Sequence, residues 1–317
     1  MCKQPLISII IPVFNVESYL KQCLDSVVDN HPSHIELILV NDGSTDSSSS
    51  ICLEYRERYE NIRYISQTNK GLSSARNTGI INSRGKYLLF LDSDDYIKDG
   101  VLSQIIIDIA NSDKDIYFGR AYKCYDNNSE LSQTDYDLIN DCTPQELFLH
   151  LNEINNFWFA AWLVIIKRDF LIVNNLFFKE GIFHEDELWV PMVFLYAQSV
   201  GKLNYGFYCY RINREGSIVS GKNIKREFDK LTVADELAKY VGISNISDQI
   251  IKVRRAAIEF GLLLSLDKYK SDPDYNYLCK EVKGHIAMIN YEKYRFLYYF
   301  SKIFGINCLS QIFRLIW

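Results

Sequence analysis

Apolar and amphipathic segments alternate along the first hundred residues. Continuous apolar runs rich in β-branched residues are typical of strands that are covered on both faces of a sheet. Strand-like segments occupy four places: 6–11, 35–40, 62–66 and 86–91. The segments between them are predicted to be helices: 17–29, 46–59 and 71–83. Strands that alternate with helices predict an α/β fold with a mainly parallel sheet and flanking helices.

The pattern is less regular after residue 100, where helices come to dominate. The predicted elements are a helix over 98–111, a strand over 115–120, loops over 125–141, a helix that begins near 183 and helices from about 222 onward. We therefore expect an N-terminal domain over 1–220, with its two halves at 1–100 and 101–220. A helical C-terminal region would follow over 221–317.

Polar residues follow three of the predicted strands, at 12–15, 41–46 and 92–95. Ligands of parallel α/β sheets bind beyond the carboxyl ends of the strands. The pattern therefore predicts one site along one edge of the sheet. No glycine-rich phosphate loop follows the first strand, so a bound nucleotide would be held by strand-end carboxylates and a metal rather than by a glycine cradle.

Asp92, Asp94 and Asp95 place three acids within four residues after a buried strand. Such carboxylates repel one another, and a divalent cation relieves that repulsion. Oxygen ligands suit Mg²⁺ or Mn²⁺, which keep coordination positions open for phosphate oxygens. A solvated acidic turn is the alternative for an isolated motif, but its place at a strand end favours a metal site.

Composition narrows the class of protein. The chain has 317 residues, 48% of them hydrophobic and 24% charged, which is typical of a folded globular protein. A net charge of −5 argues against a general nucleic-acid binder. The eight cysteines form no CxxC pair, and we expect reduced thiols in a cytoplasmic protein without a signal peptide.

Four motifs in the first hundred residues resemble one family. They are Ile9–Glu17, Leu39–Asp46, Asn69–Gly79 and Gly85–Asp95, and a weaker match continues to about residue 220. In these the chain resembles a family 2 glycosyltransferase with the GT-A fold, of the kind found in capsular and exopolysaccharide assembly. The resemblance implies a nucleoside-diphosphate-sugar donor, most simply a UDP-sugar, and transfer with inversion at the anomeric carbon.

The resemblance also assigns roles to residues on the donor side. Asp42 would accept a hydrogen bond from the base, and Asp94 would bind the Mn²⁺ or Mg²⁺ ion. The remaining donor-side residues are Pro12 and Phe14 around the base, Glu17 near the donor, Arg76 at the diphosphate or base, Asp92 at the ribose, sugar or metal, and Ser93 as a further residue that binds the donor. Asp42 as a helix cap and Glu17 as a partner of a helix N-terminus are the structural alternatives.

His184-Glu185-Asp186-Glu187 supplies candidates for a general base. Inversion by single displacement needs a base opposite the leaving group to take the proton of the acceptor hydroxyl. By resemblance Asp186 is the base and Glu185 assists it, and clustered acids raise the proton affinity of at least one member. An acidic first helical turn is the structural alternative, and His184 as base or phosphate contact is a further one.

The acceptor side is less defined. Trp158 and Trp162, with Phe157 and Phe159, would form either a stacking wall for an acceptor sugar or a core helix face. Leu163-Val164 stands where relatives often have Asn-Lys, which removes a polar acceptor contact. Arg211, Arg214 and Ser217 would lie on a loop that closes over the diphosphate or stays mobile.

The segment 291–317 combines aromatic residues with four basic residues against one acid. It would lie on the inner face of an anionic membrane as an amphipathic segment, or pack against the domain or a dimer partner.

Together with the family resemblance, the sequence predicts a metal-dependent inverting glycosyltransferase that acts on a glycan or lipid-linked saccharide in surface polysaccharide synthesis. The alternative is a catalytically silent subunit that binds sugar nucleotides in such an assembly.

Overall fold

The fold was analysed in a computed structural model of the chain. It describes six stretches: residues 4–28, 34–125, 128–131, 142–153, 158–212 and 223–286. The segment 291–317, with its predicted membrane contact, lies outside the described residues. So do Phe157, Arg214, Ser217 and the expected domain boundary near residue 220, which stays a prediction.

One mixed sheet organises the molecule. Its strands are β1 (Ile7–Val13), β2 (Ile35–Asn41), β3 (Ile62–Ser66), β4 (Tyr87–Phe90), β5 (Tyr96–Ile97), β6 (Ile116–Tyr125), β7 (Asn128–Leu131), β8 (Val164–Lys167) and β9 (Val200–Arg211). They lie in the order β3-β2-β1-β4-β8-β6-β9-β5, with β7 paired to β6.

Helices flank this sheet and follow it. They are α1 (Glu17–Val28), α2 (Ser48–Arg58), α3 (Leu72–Asn82), α4 (Val101–Asn111), α5 (Pro144–Glu153), α6 (Arg168–Val173), α7 (Asp186–Tyr196), α8 (Lys225–Ala238), α9 (Asn245–Ser265) and α10 (Tyr275–Ile286). Within the described parts of the chain, none of these helices is both long and apolar enough to cross a membrane.

The N-terminal half of the sheet has the predicted parallel arrangement. β1 pairs in parallel with both β2 and β4, and β3 adds in parallel to β2. Every residue of β1 and β2 is buried, because helices cover both faces of the sheet. This burial is what their mainly apolar runs indicate; the polar Ser8 and Glu36 are buried as well and form a hydrogen bond with each other.

The second half of the sheet is mixed rather than parallel. β8 pairs antiparallel with both β4 and β6, and β9 pairs in parallel with β6. Arg211 is the last residue of β9, so the loop expected there is wrong for this residue. The aromatic segment before β8 contains a short 3₁₀ turn over Ala161–Leu163, which corrects the expected helix face.

The C-terminal helices pack on the sheet domain rather than standing apart from it. α9 packs against α5, α7 and α8, and α8 also contacts α7. Their buried apolar residues, among them Leu237, Ile251 and Leu262, belong to the same hydrophobic core as β1 and β2. The start of α7 is therefore held between the sheet and the C-terminal helices.

Candidate active site

A cleft of about 1340 Å³ opens at the carboxyl ends of β1, β2 and β4. Eight of the ten predicted site residues line it: Pro12, Phe14, Asp42, Asp92, Ser93, Asp94, Glu185 and Asp186. Glu17 and Arg76 do not line it. The edge of the sheet that the strand-end pattern predicted therefore carries the cleft.

Asp42 is buried at the end of β2 and organises the start of α3. Its Oδ1 accepts hydrogen bonds from Gln67 Nε2 at 2.7 Å and from the Lys70 amide at 3.0 Å. Its Oδ2 accepts one from the Gly71 amide at 2.8 Å. Asp42 thus holds the turn before α3 and lines the cleft with the same carboxylate.

Glu17 connects the first turns of α1 and α2 rather than reaching the cleft. Its Oε2 accepts a hydrogen bond from the Ser47 amide at 2.8 Å, and its own amide donates to Asp46 Oδ2 at 3.0 Å. This reciprocal arrangement fits the structural alternative of helix N-terminal pairing. Phe14, by contrast, is 45% exposed and lines the cleft.

Residues of β9 hold the acidic turn after β4 in place by hydrogen bonds. Asp95 is buried, and its carboxylate accepts hydrogen bonds from the Tyr208 hydroxyl at 2.8 Å and the Arg211 amide at 2.7 Å. Burial raises the pKa of Asp95, and Asp94 and Asp92 raise it further. Arg211 also donates through Nε to the Asp94 carbonyl at 2.9 Å. Asp95 therefore anchors the turn that presents Asp92 and Asp94.

The donor set fits a divalent cation that a diphosphate helps to bind. The carboxylates of Asp92 and Asp94 line the cleft, on one short turn. Among the described residues, no three His, Cys, Asp or Glu side chains converge as a complete metal cluster. Mg²⁺ is commonly held by one or two carboxylates together with substrate phosphates, so these two residues suit that kind of site.

Arg76 lies beneath the cleft and connects its two acidic segments. Its guanidinium is 2.8 Å from Asp92 Oδ1 and 2.6 Å from Glu185 Oε1, and the side chain is almost fully buried. Burial by itself lowers the pKa of Arg76, but Asp92, Glu185 and Asp186 raise it above its usual value. Arg76 is therefore a permanent cation that joins α3 to the turn after β4 and to the segment before α7.

Asp186 begins α7 and faces the cleft, partly exposed. Its Oδ1 accepts a hydrogen bond from the Glu187 amide at 3.0 Å, and within the described residues it has no ion pair. Burial raises the pKa of Asp186 to about 8, with a further contribution from Glu185. A carboxyl group with this pKa releases and takes up protons near neutral pH, as a general base requires.

His184 precedes these acids in a left-handed backbone conformation, with a φ of 62°. Burial, followed by Lys230 and Arg226, lowers the pKa of His184 to about 4. The imidazole is therefore neutral near pH 7, and its low basicity makes it a poorer base than Asp186.

An aromatic wall borders the cleft next to the acidic turn. The rings of Trp162 and Tyr208 are stacked with centroids 4.2 Å apart, and Trp158 packs edge-on against Trp162 at 5.7 Å. Trp158, Phe159, Trp162 and Tyr210 line the cleft. Trp162 is buried and also borders the cleft, and its stacking against an acceptor sugar stays a prediction.

The C-terminal region contributes cleft residues that the sequence pattern did not single out: Asn223 before α8, Lys225 and Arg226 on α8, and Arg254 on α9. Lys225 Nζ is 2.5 Å from Asp229 Oδ2, and the Arg254 guanidinium pairs with Glu187. The only local sign of Arg254 is a pair of arginines in α9, between Lys252 and Glu259. Such a pair is also common on solvated helix faces.

The sequence model of glycosyl transferase family 2 matches residues 8–166 of the chain. Two curated relatives are each 36% identical to it: glycosyltransferase GlyA of Streptococcus pneumoniae over 222 residues, and the uncharacterized glycosyltransferase EpsJ of Bacillus subtilis over 213. These alignments cover 67% and 66% of this chain, but only 31% and 62% of the relatives. The minor teichoic acid biosynthesis protein GgaB of B. subtilis is 32% identical over 223 residues, 66% of this chain and 23% of GgaB.

The fold is also similar to that of a solved structure. Residues 1–349 of TarS from S. aureus, in complex with UDP-GlcNAc, superimpose with a TM-score of 0.75 at 19% sequence identity. The similarity covers 98% of this chain and 91% of that one. The GT-A fold expected from the four motifs is therefore confirmed.

Proposed function

The chain belongs to glycosyl transferase family 2, and from that premise we propose that it transfers a sugar from a UDP-sugar to a saccharide acceptor with inversion. The observation that carries the proposal is the meeting of Asp92, Asp94 and Asp186 in one cleft. A donor diphosphate and an acceptor hydroxyl need such groups close together. Arg76 supports this arrangement because it joins Asp92 to Glu185, next to Asp186.

The donor nucleotide would occupy the end of the cleft formed by β1 and β2. Pro12 and Phe14 would border the base, and Asp42 would accept its N–H group alongside the three protein donors that it already has. A carboxylate has about four lone-pair sites, so a fourth hydrogen bond is available.

Asp94 and Asp92 would hold Mn²⁺ or Mg²⁺ at the diphosphate. When bound, the ion stabilises the negative charge that develops on the leaving diphosphate. Ser93, between the two acids, borders the same space.

Asp186 would act as the general base. The acceptor oxygen forms a bond to the anomeric carbon as the bond from that carbon to the diphosphate oxygen breaks. The hydroxyl proton passes to the Asp186 carboxylate, and the bond electrons leave with UDP. Glu185 is held by Arg76, so it would assist through its charge next to Asp186.

A donor screen tests the proposal. Purified protein is incubated with UDP-GlcNAc, UDP-glucose, UDP-galactose or GDP-mannose and Mn²⁺ or Mg²⁺, and released UDP or GDP is measured. We expect release from a UDP-sugar, a loss of at least 100-fold in Asp186→Asn, as is usual for a general base, and retained nucleotide binding in that variant. The exposed Asp99→Asn is the matched control. Binding of a nucleotide sugar without release from any donor would instead support the silent subunit.

We further propose that the acceptor is a glycan or a lipid-linked saccharide of a surface polysaccharide, and that the enzyme works at the cytoplasmic face of the membrane. The family resemblance and the aromatic and basic composition of 291–317 support this. Deletion of 291–317 should abolish flotation with phosphatidylglycerol vesicles. Unchanged flotation would refute a membrane contact through 291–317. If the segment instead mediates dimerisation, light scattering of the shortened chain would show half the mass.

A further inference from the structure

Three consecutive acids at the start of α7 have different partners. Glu185 pairs with Arg76 from α3, with 2.6 Å between the charged atoms. Glu187 pairs with Arg254 from α9. Asp186, between them, has no ion pair among the residues that the structure describes. One acid of the three is thus left for a molecule in the cleft, flanked by two arginine–glutamate pairs.

Arg254 is held firmly in this position. It is 7% exposed although it lines the cleft. Its guanidinium carbon lies 3.9 Å from the centroid of the Phe159 ring, which adds a cation–π contact to the pair with Glu187. A desolvated guanidinium between a ring and a carboxylate has a defined orientation, so the position of Glu187 is defined too.

We propose that Arg254 is a positioning residue for the transfer reaction, which neutralises Glu187 and thereby leaves Asp186 as the carboxylate that receives the acceptor proton. The inference rests on the proposed function, because it assumes that Asp186 is the base. It gives the C-terminal helices a direct part in the site, since α9 supplies Arg254. The other arginine, Arg76, comes from α3, which packs on the sheet.

Charges on each side of Asp186 have opposite effects on it. Among the described residues, Glu185 and Asp92 add to the effect of burial and raise the pKa of Asp186, and Arg76 and Arg254 lower it. The other charged or titratable residues that line the same cleft are Asp42, Lys70, Asp94, Asp95, His184, Glu187, Tyr210, Lys225 and Arg226. Without Arg254, the Glu187 carboxylate would be uncompensated and would raise the pKa of Asp186. Without Glu187, the Arg254 cation would be uncompensated and would lower it.

This opposition separates the proposal from a purely structural role. If the ion pair only stabilised the packing of α7 on α9, removal of either partner would lower stability in the same way. Both variants would then lose stability and turnover together, and neither would move the pH profile in its own direction.

The experiment compares Arg254→Gln, Glu187→Gln, the double variant and Arg254→Lys in the full chain. Arg255→Gln is the matched control, because Arg255 pairs with Glu259 at 3.5 Å and does not line the cleft. For the donor that the wild type turns over fastest in the screen of four sugar nucleotides, kcat/KM is measured from pH 5 to 9. Thermal unfolding of each variant reports whether it folds.

We expect the acid limb of kcat/KM to move up by about one pH unit in Arg254→Gln and down by a similar amount in Glu187→Gln. In the double variant and in Arg254→Lys, the acid limb of kcat/KM should lie close to that of the wild type. Shifts in the same direction, or none in either folded variant, would overturn the proposal. Full activity in Asp186→Asn would instead contradict the proposed function.

A second measurement does not depend on turnover. The carboxyl carbon of Asp186, labelled with ¹³C and assigned by its absence in Asp186→Asn, is titrated by NMR in each variant. Opposite movements of its pKa in the two single variants would support the electrostatic role of Arg254, whereas equal pKa values would exclude it. This holds even if no sugar nucleotide of the screen is a substrate.

Discussion

Asp186 combines a raised pKa with access to the cleft. Burial and the neighbouring Glu185 make its ionised form less favourable than in water, whereas Glu185 itself forms an ion pair with Arg76. The two neighbouring carboxyl groups therefore differ in their partners, which is why we propose different roles for them. The raised pKa of Asp186 has two measurable consequences.

The first consequence is a pH-dependent rate. A general base works as the carboxylate, so kcat/KM should rise with pH and level off near pH 8, the pKa of Asp186. The measurement is a pH profile of UDP release. A profile that is already level between pH 5 and 6 would contradict the assignment.

The second consequence is a pH-dependent stability. The pKa of Asp186 is about 8 in the folded chain and about 4 for an unfolded aspartate. The folded state therefore binds the proton more tightly, and this contribution to stability is lost as pH rises from about 4 to 8. We expect the Tm of Asp186→Asn, relative to the wild type, to be higher at pH 8 than at pH 5. A constant difference would show that the pKa is not raised.

Helix α3 carries the buried cation that holds the site together. Arg76 on α3 contacts Asp92 after β4 and Glu185 before α7, so three segments depend on one side chain. A buried pair that loses one partner leaves an uncompensated charge, which is strongly destabilising.

Arg76→Ala should lower the free energy of unfolding by about 3 kcal/mol, because Glu185 remains buried without its cation. Urea denaturation measures this value. The control is Arg58→Ala: Arg58 pairs with Glu54 at the surface, where side-chain exposure exceeds half. Its loss should be within about 0.5 kcal/mol, and an equal effect of both variants would refute the role of Arg76.

The packing of α3 on β1 requires a glycine at position 79. A Cβ atom there would lie 2.3 Å from Ile10 Cγ2, in a fully buried part of the sheet. Gly79→Ala should therefore destabilise the chain by about 1–3 kcal/mol. A Cβ added at Gly261 in α9 meets no neighbouring atom of the described residues within 4 Å, so Gly261→Ala should stabilise the chain by up to about 1 kcal/mol. Urea denaturation measures the free energy of unfolding of both variants. A change of the same sign in both would contradict this packing.

The cleft joins elements that are distant in the sequence. On one side, the cleft is lined by residues that follow β1, β2 and β4, including the acidic turn. On the other side, it is lined by residues of α7, α8 and α9. Ligands that contact both sides should stabilise the complete fold, because binding to the native state shifts the unfolding equilibrium.

UDP with Mn²⁺ should raise the Tm by more than UDP with EDTA. At 100 times the dissociation constant, binding stabilises by about 2.7 kcal/mol. In Asp94→Asn the additional effect of Mn²⁺ should be lost while the effect of UDP alone remains. If Asp94→Asn responds to Mn²⁺ like the wild type, Asp94 is not a ligand of the ion.

Much of the parallel half of the sheet could be predicted from local pattern. The strands expected over 35–40 and 62–66 are observed as Ile35–Asn41 and Ile62–Ser66, and the helix expected over 71–83 as Leu72–Asn82. Buried strands and amphipathic helices have distinct periods, which short stretches of sequence reveal. The mixed half was not predicted, because β9 pairs with β6 across 84 to 87 residues of sequence, as in Ile116 with Val200 and Cys124 with Arg211.

The amino-acid pattern was sufficient to place the acidic turn and Asp42 at one edge, because parallel strands end on the same side of a sheet. It did not show that Arg76 lies beneath the cleft, that Glu17 lies outside it, or that Arg254 lines it. The ion-pair partners of Arg76 and Arg254 include residues 109 and 67 positions away. Local periodicity reports whether a side chain is buried, but the partner of a buried charge depends on which distant element the folded chain brings against it.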